Sequence, residues 1–311
     1  MGSNNRVLIT TSSFAEESSA LLDLLTNEGF QVVLNPWKRR LKEQELSELL
    51  ERHKPVGLLA GTEPITRGIL SQAKEHLQII SRVGVGWDNI DHAAAEEFGI
   101  LLYRTTGVLT QSVAELTLGL MLAALRSITL HDRNIRERRW EKRMGGLLAG
   151  KLVGIIGFGA IGKLVGELVK AFGAEVIFYD PQPIASVWQQ TSSLNELLLK
   201  AEIISLHASG NTKLLGLDEL GLIAGRNVII VNTSRGILID EKILLEHLKA
   251  GQIAYACLDV FAEEPYSGPL GGLDNVILTP HIGSYAREAR IAMEEAAILN
   301  MIAGFRRTAV R

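Results

Sequence analysis

Residues 151–162 read KLVGIIGFGAIG, and this stretch decides the fold. Its apolar part, Leu152 to Ile156, has the length of a strand that is buried on both faces. Three glycines follow in the pattern G-x-G-x-x-G: Gly157, Gly159 and Gly162. Residues 163–172 have a helical pattern, and a second apolar run, Glu175–Tyr179, ends at Asp180. This order of strand, glycine-rich turn, helix and strand is typical of a doubly wound parallel sheet.

The spacing of these residues suits a dinucleotide. Gly157 permits a tight turn, Gly159 lets backbone N–H groups approach a pyrophosphate, and Gly162 lets helix and strand pack closely. The helix N-terminus adds partial positive charge for the diphosphate. Glycines in this pattern can also be simple turn formers, but the flanking elements and Asp180 favour a ligand. Because Asp180 would repel a 2′-phosphate and residues 180–183 contain no Arg or Lys, we predict NAD rather than NADP.

Composition limits the classes of protein that fit. The chain has 311 residues, enough for two domains, and a net charge of −3, which gives no electrostatic reason to expect nucleic acid or an anionic membrane as a partner. The single cysteine, Cys257, excludes a disulfide within the chain and fits a reducing cytosol. We find no signal peptide pattern and no apolar run of spanning length, and therefore expect a cytoplasmic protein. No metal site is predicted.

Alternating strands and helices predict an α/β protein with two Rossmann-like or flavodoxin-like parallel-sheet domains and an active-site cleft between them. The first hundred residues can form a small domain of their own, and the last predicted helix returns to it. We therefore predict a substrate-binding domain of residues 1–103 plus 284–311 and an NAD-binding Rossmann domain of residues 104–283.

The predicted helix from Ser112 to Arg126 is apolar nearly all round. Such a helix needs cover on every side. We predict that it forms a homodimer interface, the alternative being burial within one subunit. The basic segment 136–143, RERRWEKR, is interpreted as a solvated helix face.

Polar residues follow several predicted strands at the edge where open α/β sheets bind ligands. These segments are 82–91 (RVGVGWDNID), 232–236 (NTSRG), 259–265 (DVFAEEP) and 280–284 (PHIGS). Together the last three supply a cation, carboxylates and a histidine. Oxidising a hydroxy acid requires these groups, because a histidine can exchange the hydroxyl proton, a carboxylate can orient that histidine, and an arginine can hold the substrate carboxylate.

These motifs, with SVAELTLGLML, occur in an order that resembles the D-isomer-specific 2-hydroxyacid dehydrogenases over nearly the whole chain. The resemblance implies that Arg235 binds the substrate carboxylate, that His281 is the acid/base and that Glu264 is its partner. Glu264 could instead cap the turn before Pro265. Backbone amides at Val85 and Gly86 would also hold the carboxylate.

The same resemblance implies further cofactor contacts. Asp259 would bind the nicotinamide carboxamide, and the remaining residues would line the cofactor site: Ala160, Ile161, Thr233, Ser234 and Gly283. His207 ends a strand at the same sheet edge and is predicted to line this pocket. Residues 207–212, HASGNT, lack the usual proline and leucine of the family, which puts the shape of the adenine side in question.

Within the family, the chain most resembles the D-3-phosphoglycerate dehydrogenases of serine biosynthesis. Arg82 stands where those enzymes direct an arginine toward the substrate phosphate, whereas Ala60 and Gly61 stand where some carry a second arginine. The enzymatic alternative is a glyoxylate/hydroxypyruvate reductase. An alternative of another class is an NAD(H)-sensing corepressor that shares this fold.

Overall fold

The computed structural model describes residues 5–308, and the chain divides into two compact units. One unit contains the chain up to Leu109 and the segment from Ser284 onward, and the other is Thr110–Gly283. The division between the units thus follows Leu109, and the predicted domain boundary after residue 103 stays a prediction. Residues 1–4 and 309–311, which the sequence assigns to the substrate-binding domain, lie outside the described residues.

The first unit is built on a five-stranded parallel sheet with the order β2-β1-β3-β4-β5. The strands are β1 (Arg6–Ile9), β2 (Gln31–Leu34), β3 (Gly57–Ala60), β4 (Ile79–Arg82) and β5 (Leu101–Arg104). The helices are α1 (Ala20–Asn27), α2 (Glu43–His53), α3 (Arg67–Ala73), α4 (His92–Glu97) and the last helix of the chain, α11 (Arg287–Thr308). Strands β3 and β4 are buried at every position because they lie inside the sheet with both faces covered. This strand order is the flavodoxin-like one.

The second unit is built on a seven-stranded sheet with the order β12-β11-β10-β9-β6-β7-β8, also parallel throughout. Its strands are β6 (Leu152–Ile156), β7 (Glu175–Tyr179), β8 (Gln189–Gln190), β9 (Ile203–Leu206), β10 (Ile229–Asn232), β11 (Tyr255–Leu258) and β12 (Val276–Leu278). Its helices are α5 (Thr110–Leu125), α6 (Ile128–Arg136), α7 (Ala160–Ala171), α8 (Leu194–Lys200), α9 (Leu217–Ile223) and α10 (Glu241–Lys249). Short 3₁₀ turns occupy Gly236–Leu238 and Pro269–Gly272. The order reverses direction at β6 and β9, which is the point where doubly wound sheets bind dinucleotides.

The prediction of an α/β fold with two parallel sheets is confirmed. Several local expectations were wrong. The sequence pattern predicts that α1 begins at Ala15, whereas the helix begins at Ala20; Ala15 itself has a left-handed backbone (φ 61°), which an α-helix cannot contain. The basic segment is not a helix beyond Arg136, although residues 137–145 are exposed as expected. Elements α6, α9 and β8 were not predicted.

The packing of helix α5 explains part of its apolar sequence. It packs on α7 and on strands β10 and β11 of its own unit, and it buries Val113, Ala114, Thr117, Leu120, Met121, Ala124 and Leu125. Its other apolar residues, among them Leu118 and Leu122, are half-buried. These half-buried residues also contact the core of the same unit, and a subunit contact through α5 stays a prediction.

Across residues 5–308, no single helix combines the length and apolar composition that crossing a membrane requires. Helices α5 and α6 pass that test only when taken together across a 63° bend.

Candidate active site

The glycine-rich turn has the shape that its sequence predicts. Gly157 has φ +89°, and a Cβ there would lie 2.5 Å from the backbone nitrogen of Ala208. A Cβ on Gly162 would lie 2.2 Å from the carbonyl oxygen of Gly157, so this glycine lets α7 approach the turn. A Cβ on Gly159 would meet nothing within 4 Å. The open space thus lies at the one glycine whose backbone is predicted to face a ligand.

The first residues of α7 continue this surface. Ala160 is exposed and Ile161 is half-buried, and both lie in the first turn, where backbone N–H groups have no partner within the helix. The turn and the helix N-terminus therefore fit a dinucleotide pyrophosphate.

Asp180 ties the end of β7 to the glycine-rich turn. Its Oδ2 accepts a hydrogen bond from the Phe158 N–H at 2.9 Å, and its Oδ1 accepts one from the Gln182 N–H at 3.0 Å. Each carboxylate oxygen retains a lone pair for a ribose hydroxyl. The position predicted for the ribose-binding acid is therefore next to the turn.

His207 follows β9 directly behind Gly157. Its Nε2 lies 2.8 Å from Ser205 Oγ, and burial lowers the pKa of the ring to about 3, so the ring is neutral. Its Nδ1 is buried and has no hydrogen-bond partner among the described residues. Its contact with a cofactor remains a prediction.

The turn that carries Arg235 is shaped by Asn232, the last residue of β10. Asn232 Oδ1 accepts hydrogen bonds from the Ser234 N–H at 3.1 Å and the Ser234 hydroxyl at 2.9 Å. Its Nδ2 donates to the Arg235 carbonyl at 2.9 Å. Thr233, between them, places its Oγ1 2.8 Å from Thr117 Oγ1 on α5. The buried side-chain amide of Asn232 thus fixes the backbone from which Arg235 extends.

Gly236 brings that turn against the next loop. A Cβ at Gly236 would lie 1.8 Å from the Phe261 carbonyl carbon, so only glycine fits. The Phe261 N–H donates to Glu264 Oε1 at 3.1 Å, which fixes one oxygen of that carboxylate. The loops of Arg235 and Glu264 are therefore in direct contact.

Glu264 and His281 form the pair that the sequence predicts. Glu264 Oε2 lies 2.8 Å from His281 Nδ1. Because a carboxylate can only accept, Nδ1 carries the proton and Nε2 is left to exchange one with a ligand. The His281 side chain is 48% exposed, so the ring is within reach of a ligand.

Asp259 organises the loop that carries His281. Its buried carboxylate accepts hydrogen bonds from the Thr279 hydroxyl at 2.6 Å, the Ile282 N–H at 2.8 Å and the Gly283 N–H at 2.9 Å. The Gly283 carbonyl in turn accepts a bond from the Ser112 hydroxyl at 2.6 Å. The predicted contact of Asp259 with a carboxamide thus stands beside a structural role that the sequence did not reveal.

In the first unit, Arg82 lies beneath the loop it precedes. Only 8% of this residue is exposed, and its Nη1 donates to the Val83 carbonyl. Val85 and Gly86 are half-buried. The structure therefore gives Arg82 a loop-holding contact, and its contact with a substrate phosphate stays a prediction.

Comparison with known proteins gives the family. Residues 118–283 match the model of the D-isomer specific 2-hydroxyacid dehydrogenase, NAD binding domain. A glyoxylate reductase of Thermococcus litoralis is 38% identical over 274 residues, which cover 82% of this chain and 82% of the reductase. The chain is a member of the D-isomer-specific 2-hydroxyacid dehydrogenase family.

The relatives of this dehydrogenase are named for two different activities. A D-3-phosphoglycerate dehydrogenase of Methanocaldococcus jannaschii is 44% identical over 259 residues, which cover 79% of this chain but 49% of that protein. The chain thus spans about half the length of that relative. The TT0316 protein of Thermus thermophilus has a solved structure with a TM-score of 0.88 and 34% identity over 97% of both chains.

The matched relatives confirm an NAD-dependent oxidoreductase of 2-hydroxy acids, in agreement with the predicted enzyme class and cofactor. The corepressor alternative is not supported, because these relatives are dehydrogenases and reductases. Within residues 5–308, no group of three or more His, Cys, Asp or Glu side chains could hold a metal ion.

Sequence reasoning missed the residues that support this dehydrogenase site. Asn232 and Gly236 belong to the motif NTSRG, in which only Thr233, Ser234 and Arg235 were predicted site residues. Ser112 and Thr117 lie in the α5 segment that was interpreted as an interface. An amide ending a strand just before a tight turn was the available signal, since Asn favours such turns.

The two glycines allow a matched test of the dinucleotide turn. Gly159→Ala should leave the melting temperature near that of the wild type but weaken NADH binding, because the new methyl group occupies the open space. Gly162→Ala should weaken binding and also lower stability by roughly 1–3 kcal/mol, because its Cβ collides with the Gly157 carbonyl. Thermal unfolding and NADH titration measure both effects. Unchanged NADH affinity in Gly159→Ala would place the pyrophosphate elsewhere.

A second prediction concerns Asp259. Asp259→Asn replaces one acceptor oxygen by an NH₂ group that faces an N–H donor, so stability should fall by about 1–3 kcal/mol along with kcat. Asp218→Asn, at an exposed position in the first turn of α9, is the control and should change neither by much. Thermal unfolding and steady-state rates measure the two effects. Loss of kcat with full stability would show that Asp259 acts on the cofactor alone.

Proposed function

We propose that this enzyme interconverts D-3-phosphoglycerate and 3-phosphohydroxypyruvate with NAD, the reaction predicted from Arg82 and tied by resemblance to serine biosynthesis. The contact between Glu264 and His281, at 2.8 Å, carries the proposal that the chain is catalytically competent. The 44% identity to a D-3-phosphoglycerate dehydrogenase supports this substrate.

In the proposed reaction, the backbone amides of Val85 and Gly86 and the guanidinium of Arg235 hold the substrate carboxylate. His281 Nε2 takes the proton of the C2 hydroxyl during oxidation and returns it during reduction. Glu264 keeps Nδ1 protonated and stabilises the imidazolium that forms. When bound, NAD supplies the hydride acceptor, and the glycine-rich turn and Asp180 would hold its pyrophosphate and ribose.

Further proposals complete this picture. The Thr110–Gly283 unit binds NAD and supplies Arg235 and His281, and the other unit is the substrate-binding domain that supplies Val85 and Gly86. The enzyme is a cytoplasmic homodimer that associates through α5. The half-buried apolar residues of this helix and the exposed Trp140 and Met144 in the segment after α6 support the dimer.

Glyoxylate or hydroxypyruvate reduction is the second candidate. Gly61 leaves the end of β3 without a cation, and the buried carboxylate of Glu63 accepts a hydrogen bond from the Gly61 N–H at 3.0 Å. A negative charge at this position disfavours a phosphate and suits an uncharged substrate end. The 38% identity to a glyoxylate reductase supports this candidate.

The substrate is tested by following NADH absorbance with the purified protein. We expect kcat/KM to be higher for 3-phosphohydroxypyruvate than for hydroxypyruvate or glyoxylate, because Arg82, the last residue of β4, is the arginine proposed to attract the substrate phosphate. The reverse order would favour the reductase and would assign no phosphate to Arg82. NAD-dependent oxidation of D-3-phosphoglycerate, but not of its L-isomer, is the stereochemical control.

A further prediction concerns His281. His281→Ala should lower kcat by a factor of about 10²–10⁴, the usual contribution of general acid–base catalysis, while NADH affinity changes little. His247→Ala is the control and should leave kcat unchanged, since His247 lies on α10 and its ring contacts the Gln252 side chain in an exposed pair. Steady-state kinetics and NADH titration separate the two effects. A comparable loss of NADH affinity would contradict the acid/base role.

A further inference from the structure

The turn Val83–Trp87, here called the carboxylate turn, is held by the two residues at the end of the neighbouring strand β5. The Gly84 N–H donates to Thr105 Oγ1 at 2.9 Å, and the Thr105 N–H donates to the Gly84 carbonyl at 3.1 Å. Arg104 Nη1 donates to the Val85 carbonyl at 3.5 Å. Thr105 is 1% exposed, so its two bonds are shielded from water.

These contacts determine where the neighbouring amides point. In a trans peptide the N–H lies opposite the carbonyl of the same unit. Because the Gly84 and Val85 carbonyls are bonded to residues 105 and 104, the N–H groups of Val85 and Gly86 point away from β5. Neither donates to an acceptor in the part of the chain that the structure describes. Two such successive N–H groups form an anion-binding concavity.

Arg104 is itself fixed by an aromatic side chain of the same turn. Its guanidinium carbon lies 4.3 Å from the centre of the Trp87 ring, and that ring meets His92 edge-on at 4.5 Å. His92 Nε2 also lies 3.2 Å from the Trp87 carbonyl. A planar guanidinium stacked on an indole keeps its outward N–H groups and its positive charge at a constant place.

Arg82 and Arg104 are partners in the register of β4 and β5 but differ in their surroundings. Arg82 is buried and donates to the Val83 carbonyl, whereas Arg104 is exposed and donates to the Val85 carbonyl. The carboxylate turn therefore has one arginine beneath it and a second at its solvent side. The segment 82–91, RVGVGWDNID, contains Arg82 but not Arg104, so the sequence pattern drew only Arg82 into the predicted site.

We propose that Arg104 and Thr105 are positioning residues that orient the Val85 and Gly86 amides toward the carboxylate of the 2-keto acid. Arg104 also raises the positive potential at these amides. This inference rests on the proposed carboxylate-binding role of Val85 and Gly86, and it holds for a phosphorylated and an unphosphorylated acid alike.

The first test compares Arg104→Met and Arg104→Lys with the wild type. Oxamate, which has the carboxylate of a 2-keto acid but a neutral amide at the other end, is titrated into the enzyme–NADH complex. KM is measured for glyoxylate, hydroxypyruvate and 3-phosphohydroxypyruvate. Arg104→Met should raise the oxamate Kd and all three KM values by roughly fivefold, with kcat and the NADH Kd within about twofold. Arg104→Lys should recover part of the loss because the charge remains.

The control for this variant is Arg67→Met. Arg67 is also exposed and lies over an aromatic ring of the same unit, 5.4 Å from the centre of Phe98, but it bonds Glu97 and has no contact with the carboxylate turn. It should leave the oxamate Kd unchanged. An equal effect of Arg67→Met and Arg104→Met, or a loss limited to the phosphorylated acid, would overturn the positioning role.

A second pair of variants tests Thr105 independently. Thr105→Val keeps the shape of the side chain but removes the acceptor of the Gly84 N–H, and it should raise the oxamate Kd about tenfold. Thr105→Ser keeps the hydroxyl and should bind oxamate like the wild type. Equal oxamate affinity in the Val and Ser variants would overturn the role of Thr105.

The two proposals can fail separately. Oxamate binding with the expected changes, but no turnover of 3-phosphohydroxypyruvate, would refute the proposed substrate and leave the positioning role intact. No binding of oxamate by the wild-type enzyme–NADH complex would overturn the positioning role.

Discussion

The loop that carries His281 depends on one buried carboxylate. Asp259 follows β11 and accepts three hydrogen bonds from Thr279, Ile282 and Gly283, the residues on either side of His281. His281 has a left-handed backbone (φ 55°), which costs a non-glycine residue about 1–2 kcal/mol. Charge-assisted bonds to a buried carboxylate are strong enough to offset that cost. The hydrogen bonds of Asp259 therefore fix the backbone conformation that directs His281 Nδ1 at Glu264.

The second constraint is a contact between backbones. Because Gly236 has no side chain, the turn of Arg235 lies against Phe261, and the amide of Phe261 holds the Glu264 carboxylate. Arginine, glutamate and histidine thus come from three strand ends of a single sheet, and they are linked by short-range contacts between the loops. This arrangement explains how three motifs that are separated along the chain contribute to one site.

The sequence predicted the features that follow from periodicity and spacing. The glycine turn, Asp180 and the loops at the strand ends could be found because parallel strands place their carboxyl ends on one sheet edge. Burial of Arg82 and the role of Arg104 could not be found in this way, because both depend on how β4 and β5 pair. The register that matches Arg82 with Arg104 exists only in the folded sheet. Likewise, the left-handed backbone of Ala15, which keeps that residue out of α1, has no signal in the sequence.

The double hydrogen bonding of Asp180 has a consequence for how this enzyme could change its cofactor during evolution. The same carboxylate that is proposed to bind the ribose also accepts hydrogen bonds from the Phe158 N–H inside the glycine turn and from the Gln182 N–H beyond β7. A lineage that exchanged this acid to admit a 2′-phosphate would leave two backbone donors without acceptors. Such a lineage would need new acceptors as well as a new cation, so cofactor preference here is inherited together with the shape of the turn.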